Sequence, residues 1–139
     1  MTDDIVLNKS ENIERCIKRV KQTYHGNEKK LLTDYTVQDV IILNLQRACE
    51  ATIDMAMHFI KIKKLGVPKD SRDAFTLLEA AHLIPKELSD QLANMVGFRN
   101  IIIHEYTKIN YNIVNSVILK DMNGLLDFCK MALQISSSR

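Results

Sequence analysis

No stretch of this chain approaches the run of about 18 apolar residues that a membrane-spanning helix needs. Its start, Met1-Thr2-Asp3-Asp4, is acidic and lacks the basic residues and apolar core of a secretory signal. Disulfide pairing has little to build on. Cys16, Cys49 and Cys129 are odd in number, widely spaced and set among apolar neighbours, which is the pattern of reduced core thiols. Together these absences lead us to expect a cytoplasmic protein without membrane contact. Neither a C-x-x-C pair nor a Cys/His cluster occurs, so no metal site and no cofactor are expected. An excess of one charge is missing too: 19 Lys and Arg against 17 Asp and Glu leave a formal charge of +2. Global electrostatics therefore do not announce a nucleic-acid binder, and any RNA site has to be a local patch.

What the chain does contain is helical periodicity. With 46% hydrophobic and 26% charged residues, its 139 positions suit one soluble domain, 1–139, able to bury a core unaided. Ile13, Cys16, Ile17, Val20 and Tyr24 recur at 3/4 spacing on a helix that begins near Ile5 and ends by His25-Gly26-Asn27. Thr36 is the expected cap of a long second helix carrying Val37, Val40, Ile41, Leu45, Ala48, Cys49, Ile53 and Ala56 and stopping near Leu65-Gly66-Val67-Pro68. Leu43, Met55, Met57 and Ile62 fall off that stripe, so this helix should be central or touch a partner. Ser71 is expected to cap a short third helix that breaks before Pro85, and a fourth begins near Pro85 or Lys86. Three successive β-branched residues, Ile101-Ile102-Ile103, could read as a strand, but no other strand exists to pair with them, so helix is the better reading. A last helix runs from about Asn110 to Ile135, with Gly124 a modest weakness, and the tail from Ser136 to Arg139 is expected to fray. Short connections make these about five helices an antiparallel, all-α bundle.

Two residues break the pattern. Arg99 stands where the stripe Leu92, Val96, Ile103 calls for a hydrophobe, and a charge there must be paired, snorkel or serve a site. Five residues on comes His104, then Glu105 and Tyr106. His25, His58 and His82 read as ordinary surface or core residues. A cation for phosphate, an imidazole titrating near neutrality and a phenol within eight residues form a set suited to attack on RNA. On an ideal helix a step of five turns His104 about 140° from Arg99, while Tyr106 returns to Arg99's face if the helix continues, so all three converge only if the helix bends or ends near His104, or if long side chains and a second subunit close the gap. Arg15, Lys18, Arg19 and Lys21 on the first helix either steer RNA or form a solvated face.

Arg99-Asn100-Ile101-Ile102-Ile103-His104-Glu105-Tyr106 resembles the R-x-x-x-x-H-x-Y motif of HEPN-domain ribonucleases, in particular the HepT toxins encoded beside MntA-like minimal nucleotidyltransferase antitoxins. The likeness extends to Ile42-Leu43-Asn44-Leu45-Gln46-Arg47, Cys49-Glu50-Ala51, Ser71 to Leu78 and Met95 to Asn100. It implies a HEPN-like helical homodimer that cleaves RNA, tRNA being one candidate, without a metal, using Arg99 and His104. Asn100 would orient the site. It also implies silencing when the antitoxin attaches AMP to Tyr106.

RNA cleavage of this kind needs a base for the 2′-hydroxyl proton, a cation for the charge growing on phosphorus and an acid for the leaving oxygen. One chain offers only His104 for both proton transfers. Two chains about a twofold axis would bring two His104 and two Arg99 side chains into one groove. The rival reading is a non-catalytic HEPN-like adaptor that binds RNA or nucleotide through the same residues and presents itself to a nucleotidyltransferase.

Overall fold

The structure is a computed structural model that describes residues 3–137. Among these the helices are α1 (Asp4–Tyr24), α2 (Tyr35–Lys63), α3 (Ser71–Ala80), α4 (Lys86–Glu105), α5 (Tyr111–Lys120) and α6 (Met122–Ser137), with no strand. Single 3₁₀ turns, Lys30–Leu32 and Tyr106–Lys108, precede α2 and follow α4. The all-α bundle is thus as expected, except that the last helix is divided. The division falls at Asp121, which stays in the right-handed region at φ −109° with its N–H still bonded to the Val117 carbonyl. None of the helices among the described residues is long and apolar enough to cross a membrane.

The apolar stripes read from the sequence do meet. Ile13, Ile17 and Val20 of α1 face Ile41, Leu45 and Ala48 of α2 within one contiguous buried cluster that reaches Ala132 on α6. At its centre Phe75 and Phe128 pack edge to face, ring centroids 5.6 Å apart. Helix α2 runs through the middle, packed against α1, α3, α4 and α6. That position explains Met55, which is fully buried, and Met57, which packs against the core; of the four off-stripe residues only Leu43 and Ile62 are exposed. In the isoleucine run Ile102 enters the core while Ile101 and Ile103 face outward, the one-sided burial of a helix.

Helix ends follow local chemistry that the periodicity does not report. Asp34, not Thr36, caps α2: its carboxylate accepts from the Thr36 and Val37 N–H groups. Asp70, not Ser71, caps α3 by accepting from the Asp73 N–H. In both cases an aspartate one or two positions upstream reaches the orphan donors with a charged acceptor and takes the role. Helix α2 closes with Lys64 in the left-handed region at φ 55°, while the Leu65 N–H bonds the Ile60 carbonyl at 3.0 Å. This is a Schellman turn with lysine where glycine is usual. His82, at φ 61°, closes α3 the same way.

The C-terminal tail does not fray where described. Ser136 is buried, and its Oγ accepts from the Asp3 N–H at 2.8 Å. The Asp3 carboxylate also meets His58, whose hydrogen bond holds that carboxyl below its usual range, so His58 ties α2 to the start of α1. Ser138 and Arg139, like Met1 and Thr2, lie outside the described residues. The three cysteines are free and buried, and burial pushes the Cys49 and Cys129 thiols up to about 12, which leaves them inert.

Candidate active site

Helix α4 carries the departure from the stripe, and the structure shows how the charge is accommodated. Phe98 and Ile102 point into the core on either side of Arg99. The Arg99 side chain is only 16% exposed, and its Nε lies 3.4 Å from Glu50 Oε1 of α2. Its Nη2 donates to Ser71 Oγ of α3 at 2.8 Å. Three helices therefore hold one guanidinium. Of the five N–H donors that an arginine owns, only the one on Ser71 is hydrogen-bonded among the described residues, and Nε is buried without such a bond. A planar fork held at one tip by Ser71 and ion-paired to Glu50, with donors unused, is suited to gripping phosphate oxygens.

His104 is treated in the opposite way. It sits in the last turn of α4, exposed, and its imidazole has neither a hydrogen bond nor an ion pair among the described residues. Arg99 and His104 are consequently not joined within one chain: the first is clamped inward, the second projects from the helix end. Asn100 is half-buried and likewise makes no side-chain hydrogen bond.

Tyr106 does not continue α4. The chain leaves the helix at Glu105, with φ −137° and ψ 37°, and enters the 3₁₀ turn. This swings the phenol, 48% exposed, over to α2, where its hydroxyl donates to Asp39 Oδ1 at 2.9 Å. That hydrogen bond, with some desolvation, raises the phenol above its usual pKa. The helix thus ends just past His104, but that end carries Tyr106 to Asp39 and does not bring His104 to Arg99 within one chain.

The sequence reading missed three side chains here. Glu50, Ser71 and Asp39 sit on other helices, and nothing in the α4 motif points to them. Arg72 adds a fourth: its Nε donates to the Ala93 carbonyl at 3.3 Å and its guanidinium lies over Gly97, where a Cβ would collide with it. The basic set of α1 is split. Arg15 and Arg19 join Arg47 of α2 along a groove of about 700 Å³ that reaches Glu50, the Arg99 partner. Lys18 and Lys21 instead line a separate groove against α6 that also holds Glu14 and Asp127.

Residues 13–132 match the family model described as Ribonuclease HepT-like. The chain belongs to the HepT-like ribonuclease family. It is 47% identical over 131 residues to the mRNA nuclease HepT of Shewanella oneidensis, an alignment covering 92% of this chain and 98% of that one. A more distant HepT-like relative, the tRNA nuclease HepT of Aphanizomenon flos-aquae, is 28% identical over 108 residues, 78% of this chain and 74% of the other. Among solved structures, a toxin–antitoxin complex with AMP-PNP superimposes with a TM-score of 0.87 at 45% identity, over 93% of this chain and 97% of that one. The tri-AMPylated Shewanella oneidensis HEPN toxin in complex with MNT antitoxin superimposes with a TM-score of 0.86 at 46% identity, covering 93% and 96%.

Proposed function

We propose that this chain is the toxin of a toxin–antitoxin pair, an endoribonuclease that cuts cellular RNA without a metal, works as a homodimer and is neutralised when an MntA-like nucleotidyltransferase transfers AMP to Tyr106. The observation that carries the nuclease reading is the contrast within one helix turn and a half: Arg99 anchored with donors to spare, His104 exposed and without a partner among the described residues. In the reaction one His104 takes the 2′-hydroxyl proton as that oxygen attacks phosphorus. Arg99 stabilises the charge that grows on the non-bridging oxygens, and a second His104 protonates the departing 5′-oxygen. The products are a 2′,3′-cyclic phosphate and a 5′-hydroxyl.

One chain has a single His104, so the second comes from a twofold-related copy. Exposed Ile101 and Ile103 beside it, with Leu43 on α2, supply apolar surface for such a contact. Asn100 orients the phosphate between Arg99 and His104. Along the α1/α2 groove Arg15, Arg19 and Arg47 give the RNA backbone a path toward the Arg99 clamp, whereas Lys18 and Lys21 face elsewhere. The whole chain, 1–139, acts as one HEPN-type domain, a reading supported by the contiguous core from Val6 to Ala132. Buried, unpaired thiols fit a cytoplasmic place of action.

The regulatory part draws on the structural relatives, one tri-AMPylated and bound to an antitoxin, and on the exposed Tyr106 hydroxyl. Each phosphodiester would add negative charge at the His104 end of α4 and repel the RNA backbone there. The test is to incubate purified protein with cellular RNA in EDTA. Cleavage leaving 2′,3′-cyclic phosphate ends is expected; RNA bound but uncut would replace the nuclease by the adaptor.

A further inference from the structure

The Tyr106 hydroxyl is held before any partner arrives. It leaves α4 at Glu105, crosses to α2 and donates to Asp39 Oδ1 at 2.9 Å, its one hydrogen-bond partner among the described residues. Asp39 lies on the solvent side of the first turns of α2, a rigid element whose N-terminus Asp34 caps. Both members of the pair are exposed, so a nucleoside triphosphate carried by another protein can reach the phenol with Asp39 already in place.

A phenol that is to attack phosphorus must lose its proton, and the same carboxylate decides when. The phenol donates its O–H to the carboxylate, and that hydrogen bond, with desolvation and the Asp39 charge, raises the Tyr106 pKa. Deprotonation is then coupled to formation of the new bond, the condition under which a positioned general base contributes most. Desolvation, with the Asp39 charge, also raises the neighbouring Tyr111 phenol, but of the two hydroxyls it is Tyr106 that hydrogen-bonds Asp39.

We propose that Asp39 is the general base for AMP transfer onto Tyr106, a toxin residue contributing to its own neutralisation. The step balances as follows. Tyr106 Oη attacks the α-phosphorus of ATP, the bond from that phosphorus to the bridging oxygen breaks, and pyrophosphate leaves with the electron pair. The phenolic proton passes to an Asp39 carboxylate oxygen and from there to water. This inference rests on Tyr106 being the acceptor, as read above, and the experiment separates the two.

The full-length toxin and its nucleotidyltransferase are mixed with saturating ATP, and AMP incorporation is followed in time by intact mass and peptide mapping. Asp39→Asn keeps an oxygen for the hydrogen bond but cannot take a proton, so the maximal transfer rate should fall by about 10²–10⁴-fold. Its thermal midpoint should be unchanged and its affinity for the nucleotidyltransferase should stay within a factor of two of wild type, which a docking or folding role would not allow. Asp39→Glu should recover part of the rate. Transfer by Asp39→Asn at the wild-type rate, or a loss explained wholly by weaker binding, overturns the role of Asp39. Undiminished AMP incorporation in Tyr106→Phe overturns the acceptor assignment instead, whatever Asp39 does.

Discussion

Arg99 and His104 occupy one helix five residues apart and live under opposite rules. Arg99 is fixed by α2 and α3 and mostly withdrawn from solvent, whereas His104 is exposed and has no hydrogen bond or ion pair among the described residues. The difference divides the chemistry by its physical needs. A phosphate clamp works by preorganisation, and a guanidinium held by Glu50 and Ser71 does not have to be ordered when RNA arrives. A proton carrier has to approach two different oxygens, and an imidazole at a helix end can do so. Stability should therefore be coupled to function at the first residue and uncoupled at the second.

The sharpest way to break this contrast is to remove the free end. His104→Ala should lower the cleavage rate by about 10²–10⁴-fold with an unchanged thermal midpoint, because among the described residues the side chain makes no hydrogen bond or ion pair to lose. Near-normal cleavage by the purified variant in EDTA would take His104 out of the reaction. At the anchored end Arg99→Lys should lower the rate by about 10²-fold, since a point charge cannot span two phosphate oxygens. It should also lose about 1 kcal/mol of stability with the Ser71 hydrogen bond, so urea unfolding and cleavage must move together. A variant that loses rate but no stability would mean that the clamp does not support the fold.

Far from both, Lys64→Gly relieves a left-handed lysine at the end of α2 and should raise stability by about 0.5–1 kcal/mol without altering cleavage. That is the smallest effect, and it marks what a purely structural change looks like.

How much of this was legible in the sequence depends on how far apart the partners lie. Within a helix the 3/4 spacing carried the stripes of α1, α2 and α4, the stop before Pro85, and the anomaly at Arg99. Even the isoleucine run resolved correctly, since no pairing strand was present. Caps were misplaced by one or two residues because Asp34 and Asp70 compete with Thr36 and Ser71 for the same donors. The supporting residues of the site stayed hidden for a different reason. Ser71 lies 28 residues from Arg99 and Asp39 lies 67 from Tyr106, and no period within α4 encodes a contact between helices. Ser71, in particular, was spoken for as a cap until Asp70 proved to fill that role and left its hydroxyl to Arg99. Arg15 and Lys18 looked alike as members of one basic stretch, yet their positions around α1 send them to different grooves.

The dependence of one cut on two chains is the claim from which most of the rest follows, and it can be measured directly. Dimers carrying one wild-type chain and one His104→Ala chain, isolated through two different affinity tags, are assayed on RNA in EDTA beside both parent homodimers. A shared groove predicts cleavage no faster than in the His104→Ala homodimer. Half of the wild-type rate in the mixed dimer, or a failure of the two tags to co-purify at all while wild type still cuts RNA, would show that each chain carries a complete site of its own.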